Sequence, residues 1–513
     1  MKRSLFEVKQ SLTELASLLC ITVIVSAFLG LVFFIGIQGL RYFLPASVHL
    51  VTITYPDQRV EKYYQPETVD KSSLLADINA RLVQQYSDNP ANLPLAEVVH
   101  TEDVIEIRTE SGEVYYGTFE RLTSDKNDNL TITMMDNLLL TVELLQSQLS
   151  DVQENQLMPI HRRLAGLTER NVDENVQLFR SLQGDFKRWQ SYVTGVNERL
   201  SLFNIVIKDA EANDIIIPLS EISSLISPNS VTLFDKIVIF SERLINFLSE
   251  PPKQAATSGG VFPAIFGTVL MVILMAIVVS PFGIIAAIYL HEYAPENKTT
   301  LLIRIGVSNM AAVPSVVYGV FGLGFFVYTL GGSIDQLLYS EKLPSPTFGA
   351  PGLLWASLTM GLLTLPVVIV ATEEGLSRVP KGQRQGSYAL GATKLETITR
   401  VVIPMASPGI LTGLILAIAR AAGEVAPLIL VGAVKFAPSL PVDGTFPFLH
   451  LERQFMHLGV FIYNGAFHSQ IDANVASIMF ASCMLLILIV FALNITAIVF
   501  RGRLRERYER SLL

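Results

Sequence analysis

Arg420 and Glu424 stand four residues apart inside an apolar run, Ile410–Leu430. Each charge at such a depth costs roughly 2.5–3.5 kcal/mol on membrane-insertion scales. On a continuous helix the spacing puts both on one face, and that face must look into protein or a wet path. Two readings are open. In the first the pair neutralises itself and is structural. In the second Arg420 receives an anion, and Glu424 holds the guanidinium when no anion is present. A guanidinium binds oxyanions bidentately, which an ammonium cannot do, and an ionisable residue inside a membrane is a functional hypothesis by default. Gly423, between the two, is expected to let a neighbour approach closely. Pro427, just beyond, is expected to loosen the helix and permit a bend.

A second constellation lies in the loop Glu373–Pro404. Gln385-Gly386-Ser387 is followed by Tyr388-Ala389-Leu390, then Gly391, and nine residues later by Val401-Val402-Ile403-Pro404. The spacing predicts a short helix ended by Gly391, where the chain turns without Cβ strain. A second helix follows, closed by Pro404 at the mouth of an apolar span. Such a helix–turn–helix fits a groove on another protein and passes motion into the spans. The chain has no GxxxxGK[ST] sequence, so any nucleotide-driven energy arrives from a separate polypeptide.

The elements that must position these residues are membrane helices. Half of the 513 residues are hydrophobic and only 16% are charged, less charge than a soluble domain carries. The apolar residues collect in runs near the roughly 20 residues that cross a bilayer. Six spans are expected: Leu15–Leu44, Val261–Leu290, Ile305–Leu330, Gly352–Ala371, Pro408–Val434 and Val475–Phe500. The first is read as an uncleaved anchor, because it is long and no small-residue cleavage site follows it. Basic residues cluster at Lys2, Arg3 and Lys9, at Arg378, Lys381, Arg384, Lys394 and Arg400, and at Arg501, Arg503, Arg505, Arg507 and Arg510. Six spans put all three clusters on one side, which the positive-inside rule makes the cytoplasm.

Residues 1–45 therefore hold a cytoplasmic N-terminus and the first span, 46–258 an inserted block on the outside, 259–500 a core of five spans, and 501–513 a basic cytoplasmic tail. Between Ala46 and Lys253 there are 18 Lys and Arg against 31 Asp and Glu, a net −13, whereas the whole chain is only −8. An acidic block sits in a basic membrane protein, which argues against nucleic acid as a partner. Alternation over Val104–Tyr116, a turn at Ser111-Gly112 and the stretch Glu113–Phe119 predict a hairpin. Leu138, Val142, Leu145, Leu149 and Val152 form a short helical seam, which Pro159 is expected to break. A looser helical pattern then runs from Leu164 to about Leu200, giving a helical hairpin or short coiled coil. Asn204–Leu219 reads as strand, so the block is α+β. His161, beside Arg162 and Arg163, reads as a solvated loop residue. The acidic face is either solvated surface or a docking surface for a partner on the outside. Cys20 and Cys483 both lie in apolar runs, and no CxxC or His/Cys metal cluster occurs.

The loop spacing resembles the EAA signature of ABC importer permeases, with Gln385-Gly386-Ser387 where Glu-Ala-Ala is usual. Arg420-Ala421-Ala422-Gly423-Glu424-Val425-Ala426-Pro427 is similar to the Arg-Ala-x-Gly-Glu-x-Ala-Pro element of PstA-type permeases of the phosphate-specific ABC transporter. Val313-Pro314-Ser315-Val316-Val317-Tyr318-Gly319-Val320-Phe321-Gly322 resembles a stretch of the same family, as do Tyr388–Lys394 and Pro404-x3-Pro408-Gly409-Ile410. The likeness covers about residues 260–500, and the long block is an insertion outside it. It implies a MetI-like, all-α polytopic core that takes phosphate through the membrane. It also implies a second permease subunit (PstC-type), two copies of an ATPase subunit (PstB-type) that binds ATP and Mg, and a periplasmic phosphate-binding protein. This chain would hold no cofactor or metal and do no covalent chemistry. Arg420 and Glu424 would line the path. Pro314, Ser315 and Tyr318 would support helix packing or a kink. Three rivals remain: a permease for sulfate or molybdate, a membrane sensor reading an outside partner, and an ion-coupled secondary transporter.

Overall fold

Apolar runs become helices because a helix satisfies its own N–H and C=O groups without water. The computed structural model describes residues 2–56, 59–67, 71–85, 94–101, 103–111, 113–124, 127–130, 134–169, 177–252, 259–444, 446–468 and 473–511. Among these, six helical segments are long and apolar enough to cross a membrane: Ser17–Arg41, Phe262–Tyr293, Ser315–Leu338, Leu353–Ser377, Lys394–Gly423 and Ser477–Val499. The chain divides into two compact units. One is Met1–Tyr42 with Leu244–Pro252 and Gly260–Leu513, and the other is Phe43–Arg243 with Lys253–Gly259. The first span belongs to α1 (Lys2–Arg41).

The unit around Phe43–Arg243 holds two antiparallel sheets. In the smaller, β1 (Ser47–Thr54) pairs with β2 (Val60–Glu67) on one side and β3 (Leu95–His100) on the other, and α2 (Lys71–Gln85) covers it. Val51, Ile53 and Val98 meet Leu74, Ile78 and Leu82 in its core. In the larger, β4 (Val104–Thr109), β5 (Val114–Ser124), β6 (Asn127–Leu130), β7 (Asn204–Lys208), β8 (Asp214–Pro218) and β9 (Ile222–Ile226) run in the order β8–β7–β5–β4–β9, with β6 added on β5. β4 and β5 form the hairpin, Val104 facing Thr118. Gly112 of its turn lies outside the described residues. Ile105 and Ile107 point into the core, while Glu106 between them is buried and charge-paired with Arg108 (2.5 Å) and Arg243 (3.0 Å).

Helices α3 (Met135–Val152), α4 (Met158–Glu169) and α5 (Gln177–Leu200) complete this unit. Val142 and Leu145 share a core with Val196 and Leu200. Pro159 does not break the helix. A π-helical turn, Gln153–Leu157, precedes α4, and its wider hydrogen bonding accommodates the proline at the start of α4. His161 is a helical residue, not a loop residue, with its ring 6.2 Å from that of Phe186. α6 (Leu233–Ser249) then leads to the core spans.

The core begins with α7 (Phe262–Ile288) and a π-helical turn, Tyr289–Tyr293. Two spans differ from the sequence reading. The run Ile305–Leu330 is split, because Pro314 has no N–H and steers the residue before it out of the helical region. α8 (Lys298–Met310), capped by Asn297, ends there, and the span is instead α9 (Ser315–Phe321), a wide π-helical stretch (Gly322–Gly331) and α10 (Gly332–Leu338). Buried Asp335 accepts N–H bonds from Thr347, Phe348 and Gly349 at 2.7–2.8 Å and so pins the following loop. α11 (Leu353–Ser377) is buried along most of its length and packs on α7 and on α14 (Ile403–Gly423), which follows α12 (Lys381–Ala389) and α13 (Lys394–Thr397). Small residues allow that crossing: a Cβ on Gly409 would stand 2.5 Å from Gly375 Cα, and one on Gly413 would stand 2.6 Å from Ala371 Cβ.

The fifth span is the second difference. It runs over Lys394–Gly423, not Pro408–Val434. Pro427 would clash with the carbonyl of residue 423 in a continuous helix, so α14 stops at Gly423 and a separate short helix, α15 (Ala426–Val431), takes Pro427 in its first turn. Gly432, at φ 152°, ends α15 where a Cβ would collide with the backbone of Gly352. Two-residue strands β10 (Ala433–Val434) and β11 (Phe455–Met456) pair before α16 (Leu458–His468) and α17 (Ala473–Ser511). Buried His457 accepts an N–H from Gly459 at Nδ1, 3.2 Å away.

Candidate functional site

The break in the fifth span sets the geometry of the charged pair. Arg420 is in the last turn of α14, and Glu424 is the residue after the helix, in extended conformation (φ −82°, ψ 134°). The two do not share one helix face; the carboxylate instead folds back beside the guanidinium, with Nε–Oε1 3.5 Å. Arg420 and Glu424 are 33% and 24% exposed, partly buried rather than enclosed. Among the described residues the buried Nε of Arg420 has no hydrogen-bond partner. The two charges are therefore in ionic contact, but the Nε that faces Glu424 makes no hydrogen bond with it, a looser arrangement than a buried polar group usually adopts.

Tyr318 lies in the core against α14, its hydroxyl donating to Met310 O at 2.7 Å and so closing the α8–α9 corner. Pro314 and Ser315 open α9. Gly423 does not play the expected part, because nothing lies within 4 Å of where its Cβ would be. The close approach is made by Gly319, where a Cβ would stand 2.7 Å from Pro427 Cα, so α9 and α15 touch through backbone.

The loop forms a compact helix–turn–helix. Gln385, Gly386, Ser387 and Ala389 are on α12, Leu390 caps it, and Gly391 turns the chain at φ +83°. Thr393 opens α13 with a capping box to Glu396. Ser387 Oγ and Thr397 Oγ1, 2.9 Å apart, tie the two arms together. Leu390, at the tip, is 91% exposed, an apolar side chain without a partner in this chain among the described residues. Pro404 does not close the second helix. A π-helical turn, Ile398–Val402, joins α13 to α14 with Pro404 in the first turn of α14, so the loop's second arm is continuous with the fifth span.

Sequence spacing did not reveal the ionic contacts that hold this element. Arg384 Nη1 lies 2.8 Å from Glu292 Oε1, Arg384 Nη2 donates to Leu376 O at 2.8 Å, and Lys394 Nζ donates to Glu292 O at 2.5 Å. Arg304 lies 3.5 Å from Glu373. At the same end of α11 and α14 a cavity of about 570 Å³ is lined by Glu374, Arg378, Met405, Thr412, Ile498 and Gly502 among others; Arg420 is not in it.

Residues 279–507 match the family of binding-protein-dependent transport system inner membrane components. The chain is 32% identical over 218 residues to the probable phosphate transport system permease protein PstA of Methanocaldococcus jannaschii, covering 41% of this chain and 68% of that protein. It is 38% identical over 182 residues to phosphate transport system permease protein PstA 1 of Mycobacterium tuberculosis (strain H37Rv), covering 35% of this chain and 53% of that one, so here it spans about half the relative's length. It is 29% identical over 249 residues to the probable ABC transporter permease protein YqgI of Bacillus subtilis (strain 168), covering 47% and 79%. With its six spans and its exposed helix–turn–helix, the chain belongs to the family of binding-protein-dependent transport system inner membrane components, as a PstA-type ABC transporter permease and not an enzyme.

Proposed function

We propose that this chain is one membrane-spanning subunit of an ATP-driven importer of inorganic phosphate. The observation that carries the reading is Arg420: a guanidinium at the break of the fifth span, whose buried Nε stands 3.5 Å from Glu424 without making a hydrogen bond to it. Phosphate offers the paired oxygens such a fork binds, and relatives bearing the phosphate permease name support that choice of anion. The chain sits in the inner (plasma) membrane of a bacterial cell. The three basic clusters face the cytoplasm with both termini, and residues 46–258 lie in the periplasm.

A periplasmic phosphate-binding protein delivers the anion to the outer mouth between this chain and a PstC-type permease. Two PstB-type ATPase subunits bind ATP with Mg and close. The tip around Gln385–Gly391, with Leu390 exposed, takes that movement and passes it to the fifth span, which its second arm continues. ATP must favour one of two global states for this to drive transport. In the state that admits phosphate, the anion displaces Glu424 from Arg420, and the return of Glu424 helps release it. The break between Gly423 and Ala426 lets the Arg420 end of α14 shift against α15 without straining a continuous helix.

The test is ATP hydrolysis by the reconstituted complex, stimulated by binding protein loaded with its anion. Stimulation and uptake with phosphate but not with sulfate or molybdate support the reading. Stimulation by sulfate or molybdate alone makes the chain a permease for that oxyanion, and no ATP dependence at all refutes the importer.

A further inference from the structure

Glu292 ends the second span, in the π-helical turn Tyr289–Tyr293, 92 positions before Arg384 in the sequence. Its side chain is 8% exposed, a rare environment for a carboxylate. It meets both arms of the loop. From the first arm Arg384 Nη1 comes to 2.8 Å of Oε1, and from the second arm Lys394 Nζ donates to the backbone oxygen of Glu292 at 2.5 Å while lying 4.5 Å over the ring of Tyr293. Arg384 also donates to Leu376 O at the end of α11. Other charged groups facing the site are His291, 3.9 Å from Glu292 Oε1, and the neighbouring pair Arg304–Glu373. Among the described residues Glu292 Oε1 and Arg384 Nε are buried without a hydrogen bond of good geometry. The loop's second arm is already joined covalently to the fifth span. The first arm, which carries Gln385–Ser387, follows the fourth span after the three residues 378–380, and the Glu292–Arg384 pair ties it to the second span as well.

We propose that Glu292 is a positioning residue that clasps both arms of the coupling loop to the second span, so that loop and span move as one body when the ATPase closes. The proposal rests on the importer reading above for its cause of motion. Buried ion pairs hold register strongly once formed, since removing one partner strands the other charge. The clasp thus converts a push on the loop into displacement of the second span as well as the fifth.

The experiment uses the assembled complex in lipid, with Cys20 and Cys483 replaced by Ser and spin labels at Ile277→Cys and, on the first arm, Gln383→Cys, both positions exposed. Ile277 lies about 24 Å of helix from Tyr293 at 1.5 Å per residue, within range of pulsed distance measurement. With Glu292 intact, the 277–383 distance is expected to hold to within roughly the width of one bond between nucleotide-free and ATP-trapped states. Glu292→Gln is expected to broaden or shift it on ATP trapping. The same variant is expected to lose about tenfold in phosphate moved per ATP while basal hydrolysis stays within about twofold. The charge exchange Glu292→Arg with Arg384→Glu is expected to restore the fixed distance and most of the coupling. Unchanged distances and coupling in Glu292→Gln, or a double variant no better than either single one in an assembled complex, overturns the proposal. A wild-type complex that moves no phosphate refutes the importer reading instead, and the distances still decide the clasp.

Discussion

Replacing Glu424 by Gln removes the charge that competes with an anion for Arg420 and changes little else in size. At 3.5 Å and an effective dielectric near 20, Coulomb's law gives about 5 kcal/mol for the pair. Both side chains are partly exposed, so roughly 1–2 kcal/mol survives solvent screening. That energy is what an incoming anion must overcome, and at about 1.4 kcal/mol per factor of ten its loss strengthens phosphate binding by roughly 5–30-fold. Release weakens in step, so turnover falls. Equilibrium dialysis of radiolabelled phosphate against the purified nucleotide-free complex reads the first effect, and uptake at saturating phosphate reads the second. Unchanged or weaker phosphate binding in an intact Glu424→Gln complex refutes the competition between carboxylate and anion.

His457 gives a pH dependence, since burial pushes its pKa from the usual 6.5 down to about 3. The unfolded state then binds the extra proton between those values, so stability is complete above about pH 6.5 and is lost as pH falls toward 3, on the order of 2 kcal/mol by pH 5. Thermal melts of the purified chain at pH 7 and pH 5 should show that drop, and His457→Gln should flatten it. Asp335→Asn turns one acceptor oxygen into an NH₂ group facing an N–H and is expected to cost about 2–3 kcal/mol in the same melts. Gly409→Leu drives a side chain into Gly375 Cα and is expected to abolish folded protein on size-exclusion, whereas Gly382→Ala, with open space around it, is expected to be tolerated.

Much of the core was legible because a span is a local property. Runs such as Val261–Leu290 and Gly352–Ala371 declare themselves by apolar length, and they coincide closely with α7 and α11. The alternation at 104–116 likewise falls on β4 and β5. Prolines were harder to read. Pro314 and Pro427 end helices, yet Pro159 and Pro404 are absorbed by preceding π-helical turns, and nothing in the local sequence distinguishes the two outcomes. Gly423 looked like a packing glycine because it stands between two charges, but close approach depends on what crosses it, and α15 crosses Gly319. Arg384 counted only as one more basic residue in the loop. Its partner Glu292 is far along the chain, and only the fold brings the second span's end beside the loop.

Radiolabelled phosphate uptake, with sulfate as control, tests the central claim most directly. Cells would carry the wild-type chain, Arg420→Ala, or a coupling-loop variant at Gln385–Gly391, with assembly checked by copurified ATPase. The expected result is phosphate-specific uptake in wild type, lost in both variants while the complex still assembles. Uptake that survives Arg420→Ala unchanged would contradict the assignment of Arg420 to the path and leave the pair structural, and a wild-type complex that takes up sulfate but not phosphate would contradict the substrate.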